Sequence, residues 1–131
     1  MAGREIFTSK EATEILASKD EVTRRRLLNE RLERILEMPE DERIAALEDM
    51  LNDEAYLTDE DRVKTVRTRM DILTDMPEEK RDVLLSALKK AISAWTFDRK
   101  LMEEQALEAA VRGYTPLKKS SVYAMFRSML A

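Results

Sequence analysis

Two phrases decide the fold of this chain: MPEDER at residues 38–43 and, 38 residues later, MPEEKR at residues 76–81. Proline is favoured at the first position of a helix, because its missing N–H would have no partner there and its φ is already helical. The acidic residues that follow complement the positive end of the helix dipole. Each phrase therefore predicts the start of a helix, and Pro116 marks a third start 39 residues beyond Pro77.

The similarity around these phrases extends over an internal repeat of 38 residues. Arg31 aligns with Arg69, and Leu47 with Leu85. The units begin at residue types that cap helix N-termini, namely Asp20, Thr58 and Thr96. A repeat of this length is typical of tandem helical hairpins. The alternative is that two proline-acid helix starts arose independently, since such openings are common.

The apolar residues follow a period of 3.6, so we predict an all-α protein of about seven helices. The expected spans are 9–18, 21–37, 39–53, 59–75, 77–95, 98–112, and a last helix from 117 or 121 to 130. These pack as tandem helical hairpins, either in a small bundle or in a short HEAT-like array. Residues 1–113 form a helical-hairpin domain. Residues 114–131 form a basic amphipathic helix or tail, docked on that domain or on a partner.

Composition excludes most chemistries. The 131 residues include neither cysteine nor histidine, so thiolate metal sites, cysteine nucleophiles and histidine bases are absent. We therefore expect no catalytic residue, no cofactor and no metal site. Without an apolar leader or a long apolar run, the sequence predicts a cytoplasmic protein, with membrane contact only through a membrane-bound complex.

Residues 37–61 carry eleven acidic residues and a single basic one, Arg43. The simpler interpretation is that these are the solvated faces of two helices. The alternative is an electrostatic docking surface for a basic partner. The candidate residues for that surface are Glu40, Asp41, Glu42, Glu48, Asp49, Asp53 and Glu54.

Residues 112–131 carry four basic residues and no acid, although the whole chain has a net charge of −4. The apolar residues of this tail lie on one helical face, which must bury against its own domain, a partner or a membrane surface. The candidate partner-binding residues are Lys118, Lys119, Val122, Tyr123, Met125, Phe126, Met129 and Leu130.

Arg24, Arg25 and Arg26 form a compact basic cluster, which either pairs with the acidic stretch or contacts phosphate or an acidic partner. The leading hypothesis is a non-enzymatic interaction module: a small accessory or regulatory subunit that docks on another protein or a multi-subunit complex. One alternative is a nucleic-acid-binding regulator, which the acidic balance disfavours. Another is a helical enzyme or small-ligand carrier.

Overall fold

A computed structural model describes the backbone of residues 9–130 and the side chains of residues 9–129. Helices are the only regular secondary structure among the described residues, which confirms the predicted all-α fold class. Its seven helices are α1 (Ser9–Ser18), α2 (Glu21–Leu36), α3 (Glu40–Glu54), α4 (Asp59–Asp75), α5 (Glu78–Ile92), α6 (Phe97–Ala110) and α7 (Pro116–Leu130).

The predicted capping residues cap their helices. The side chains of Asp20, Thr58 and Thr96 each accept a hydrogen bond from the backbone N–H three residues on. The predicted role of two prolines was wrong. Pro39 and Pro77 are N-cap residues with extended ψ angles of 156° and 141°, so the helices begin one residue later. Only Pro116 is a first helical residue, preceded by Thr115, whose hydroxyl accepts from the N–H of Lys118.

These caps reveal a shorter period than the one found in the sequence. The six helices from α2 to α7 start after residues spaced 19 apart: Asp20, Pro39, Thr58, Pro77, Thr96 and Thr115. The step is one helix plus its connection, and the 38-residue repeat is two such steps. One step therefore places equivalent residues of successive helices 19 apart in the sequence.

A basic residue stands four positions after every one of these caps: Arg24, Arg43, Arg62, Arg81, Lys100 and Lys119. The first three arginines fold back in the same way, each donating to the carbonyl of the residue before the cap. The acceptors are Lys19, Met38 and Leu57, at 2.6, 2.8 and 2.7 Å. These bonds satisfy carbonyls at the bend between helices, so the cation stabilises each connection.

The helices form two layers, because the most extensive contacts join each helix to the next but one. One layer has the order α1–α3–α5–α7, and the other has the order α2–α4–α6. The apolar core lies between them and includes Leu28, Leu47 and Val66, which occupy the same position in three successive steps. A two-layer array of this kind leaves shallow grooves between neighbouring helices of a layer.

Candidate functional site

The seven candidate docking carboxylates all lie on α3, but they have different environments. Asp41, Glu42, Glu48 and Asp49 are exposed, and the described residues form no salt bridge with them. Glu40 pairs with Lys90 at 2.7 Å, and this hydrogen bond lowers the pKa of its carboxyl. The other two are less accessible: Asp53 is half-buried and accepts from Ser9, and Glu54 is buried in the core.

The apolar face of the tail packs on its own array. Helix α7 contacts α5 and α4, and the side chains that fill the core are Val122, Phe126 and Met129. Tyr123 and Met125 are half-buried against that core, whereas Lys119 is exposed. The side chain of Leu130 lies outside the described residues.

Polar contacts with α4 hold the start of α7. Asp71 accepts from the Tyr114 hydroxyl at 2.6 Å and from Lys118 at 2.8 Å. The Tyr114 ring has two cations near it, Arg67 at 5.1 Å and Lys118 at 4.4 Å from its centroid. Partial burial and the bond to Asp71 raise the pKa of the Tyr114 hydroxyl. Lys118 is therefore engaged within the fold.

A buried ionic cluster joins three helices. Arg69 of α4 donates to Glu54 of α3 at 2.5 Å and to Glu103 of α6. Arg99 contacts Glu103 at 3.4 Å, donates to the Leu51 carbonyl at 2.9 Å, and covers the Trp95 ring. Sequence reasoning missed this cluster.

The cluster breaks the 19-residue pattern of the core. Glu54 stands where the equivalent residues are Ile35, Leu73 and Ile92. Arg69 stands where α3, α5 and α6 have Met50, Leu88 and Leu107, although α2 also has an arginine there, Arg31. Burial raises the pKa of Glu54. Burial alone would lower the pKa of Arg69, but the two carboxylates that face Arg69 outweigh this effect and raise its pKa. Because Glu54, Arg69 and Glu103 are each at most 3% exposed, the cluster fixes helix packing and offers no surface to a substrate.

A polar cleft of about 960 Å³ lies between α2 and α4. It brings the predicted basic cluster together with two cations of α4, Lys64 and Arg67, which sequence reasoning did not connect with it. Arg24 is buried beneath the cleft and bonds to Glu21, Thr68 and the Lys19 carbonyl. Arg25 and Arg26 remain on its outer part, so this side of α4 is cationic.

On its other side, α4 forms an apolar groove of about 470 Å³ with α6. The apolar lining comes from Val63, Leu101, Met102, Ala106 and Ala109. Two acids, Asp59 and Asp98, stand at the helix N-termini along the same groove, and both are exposed. Asp59 also pairs at 2.9 Å with Arg62, the basic residue of the lining. This combination suits a ligand with an apolar face and positive charges.

Phe97 is an exposed aromatic residue at the start of α6, next to Asp98 of the groove lining. It lies one helical turn before Leu101, so the two side chains share a face of α6, and it is 77% exposed. The equivalent first residues of α2 to α5 are acids: Glu21, Glu40, Asp59 and Glu78. An exposed phenylalanine at a position that has a carboxylate in the four preceding helices is a local departure from the repeat, and such departures concentrate at functional sites.

Among the described residues, no group of acidic side chains is arranged to hold a metal ion, and no helix has the length and apolarity needed to cross a membrane. Comparison of the chain with protein-family models, curated proteins and solved structures gives no significant match. Function is therefore inferred from the residues and their geometry.

Proposed function

We propose that this protein is a non-enzymatic interaction module, an accessory or regulatory subunit that docks on another protein through the groove between α4 and α6. Exposed Phe97, in line with Leu101 at the edge of that groove, carries the proposal. Exposed aromatic residues beside an apolar groove are the usual anchors of protein interfaces. The proposal moves the docking surface away from the tail, because Val122, Phe126 and Met129 pack inside the fold.

The groove favours an amphipathic helix with basic residues beside its apolar stripe. Helix α6 has 14 residues, so the groove offers a length of about 21 Å for a helix to lie along it. Apolar side chains of the partner would enter between Val63 and Leu101, and lysine or arginine would meet Asp98. Helix-in-groove recognition of this kind uses anchors at i, i+3, i+4 and i+7.

The exposed acids of α3 support the same partner chemistry. Asp41, Glu42, Glu48 and Asp49 add a negative field on the same molecule. The C-terminal end of α3 adjoins the start of α6, where Arg99 donates to the Leu51 carbonyl. Charges of one sign near a docking site accelerate association with an oppositely charged partner more than they increase affinity.

The test compares two variants that each place an acid on an exposed apolar residue in a first helical turn. Phe97→Glu changes the proposed anchor, and Leu117→Glu, 80% exposed in α7, is the matched control. Tagged wild type and both variants are used for affinity purification from native cells with mass spectrometry. Binding of each purified partner is then measured by calorimetry.

We expect a protein with a basic amphipathic helix to be recovered with the wild type and with Leu117→Glu. Its dissociation constant should rise at least tenfold for Phe97→Glu, about 1.4 kcal/mol or more. Recovery that does not depend on Phe97, or equal loss with both variants, would contradict the proposal. Circular dichroism of each variant is the check that the fold is retained.

A further inference from the structure

We propose that the cleft between α2 and α4 binds a small anionic ligand that carries two or more phosphate groups. This site is distinct from the groove between α4 and α6, since it uses the opposite side of α4. Its cationic lining consists of Arg25 and Arg26 from α2 and Lys64 and Arg67 from α4.

Three of the four outer cations of the cleft are held by weak contacts, whereas the fourth, Arg25, pairs with Asp75 at 2.6 Å. Arg26 meets Glu30 at 3.7 Å, and Lys64 meets Glu60 at 3.4 Å, both between largely exposed side chains of one helix. Exposed pairs of this kind contribute little and are screened by salt, so these groups are free to turn toward a ligand. Among the described residues, Arg67 forms no salt bridge; it lies over Tyr114 and contacts the Arg112 carbonyl at 3.5 Å.

The two carboxylates that line the cleft are already engaged. Glu21 accepts from Arg24 at 2.6 Å, and Asp71 accepts from Tyr114 and Lys118. With Arg24 included, five cations and these two acids line the cleft, so it is locally positive on a chain whose net charge is −4. The positive potential of the cleft is therefore not cancelled by its own acids.

The chemistry of these groups favours phosphate. The guanidinium fork matches phosphate oxygens in a bidentate geometry, and lysine supplies a point charge for the same group. Because the cations stand on two neighbouring helices, they can contact two phosphate groups of one ligand, and a cleft of about 960 Å³ accommodates a ligand of nucleotide size. A long nucleic acid is disfavoured, because the exposed carboxylates of α3 would repel a polyanion that extends over the molecule.

The test titrates tripolyphosphate into the full chain at low salt, by calorimetry and by amide chemical shifts. The site variant is Arg26→Glu/Arg67→Glu. The control, Arg34→Glu/Arg127→Glu, changes the net charge equally at exposed arginines outside the cleft. If the site variant does not fold, Arg26→Ala/Lys64→Ala is used instead, with Arg34→Ala/Arg127→Ala as its control.

We expect saturable binding of one tripolyphosphate, with shift changes confined to α2 and α4. Affinity should fall at least tenfold in the site variant and less than threefold in the control. No binding at low salt, or equal losses in the two variants, would overturn the proposal. A 20-nucleotide single strand that bound more tightly than tripolyphosphate, with shifts beyond the cleft, would replace it with nucleic-acid binding.

Discussion

Helix α4 has two flanks with opposite chemistry. Toward α2 it presents Lys64 and Arg67 to an open polar cleft, whereas toward α6 it presents Val63 to an apolar groove with acids at one end. The polar contacts that hold α4 to its two neighbouring helices also differ. Arg24 reaches Thr68 by a hydrogen bond on the α2 side, and Arg69 pairs with Glu103 in the core on the α6 side.

The difference shows how a repeated scaffold acquires individual sites. The same 19-residue step starts α2, α4 and α6 and places their equivalent side chains in equivalent places. The two flanks of α4 differ in which residues occupy these equivalent positions. The regular backbone therefore supplies grooves, and departures from the repeat, such as Glu103 in the core and Phe97 on the surface, give one groove its character.

The largest loss in the free energy of unfolding should come from removing the charge of Arg69, which pairs with Glu103 of α6. Arg69→Met leaves Glu54 and Glu103 buried with less compensation, and breaking a buried pair in this way costs about 3–5 kcal/mol. Urea denaturation measures the loss.

The matched control replaces the three most deeply buried members of the cluster with residues found at equivalent positions: Glu54→Ile, Arg69→Met and Glu103→Leu. This triple variant should recover most of the stability, since buried ion pairs are often replaced by apolar residues at no net loss. If Arg69→Met alone were as stable as the wild type, the cluster would not hold α6 to α4.

The C-terminal tail, helix α7, also packs against the residues that hold α6 to α4. Phe126 packs beside Arg69, Glu103 and Trp95, so Phe126→Ala should lower the free energy of unfolding by about 3 kcal/mol. Ala124→Ser, at an exposed position of α7, is the control and should change it by less than about 0.5 kcal/mol. A small effect of Phe126→Ala would mean that the tail is not part of the core in solution.

The pH dependence of stability tests the charge state of Glu54. A carboxyl whose pKa is raised in the folded state, as burial raises that of Glu54, stabilises the fold below its unfolded pKa of about 4.3. This contribution is lost as the pH rises through the folded value. The free energy of unfolding of Glu54→Gln, minus that of the wild type, should therefore increase from pH 4 upward and then level off. If this difference in the free energy of unfolding fell with pH, it would show that Arg69 keeps the pKa of Glu54 low.

The capping residues should matter equally on the two flanks. Thr58→Ala and Thr96→Ala each remove one side-chain acceptor at a helix N-terminus, at a cost of about 1 kcal/mol. Thermal denaturation of both variants, with Thr→Ser at each position as the control, measures the effect. Unequal losses of more than about 1 kcal/mol would show that the flanks differ in helix capping as well as in side-chain chemistry.

The smallest change in the free energy of unfolding is expected for Phe97→Glu, and it distinguishes a role in binding from a role in stability. Phe97→Glu restores the acid found at the first position of the four preceding helices, and it should stabilise the fold by about 0.3–1 kcal/mol through the helix dipole. Leu117→Glu, in the first turn of α7, is again the control. A loss of stability in Phe97→Glu would indicate that Phe97 contributes to packing.

The helix starts could be predicted closely, except that Pro39 and Pro77 are N-cap residues and not first helical residues. The caps Asp20, Thr58 and Thr96 were identified from residue type and spacing, and the bounds of α1 and α4 agree with the structure. The 19-residue step was missed, although a basic residue four positions after every cap marks it in the sequence. It went unseen because proline, aspartate and threonine share the capping position without resembling one another.

The buried cluster was harder to predict. Glu54 lies in a run of acids and was assigned with them to the surface, but the 19-residue register aligns it with Ile35 and Leu73 in the core. That register would have identified a buried carboxylate. It would not have identified Arg69 and Glu103 as its neighbours, because they belong to other helices.

Helix α5 ends at Ile92, before the predicted residue 95, but the sequence by itself determined where most of the helices begin and which face of each is apolar. These properties depend on hydrogen bonds and side chains within four residues of one another, so they are encoded locally. Only the tertiary structure decided that α4 stands between α2 and α6, that the tail packs on α5, and that Arg69 meets two carboxylates. These contacts join residues from 15 to nearly 50 positions apart, and packing between whole helices sets their geometry.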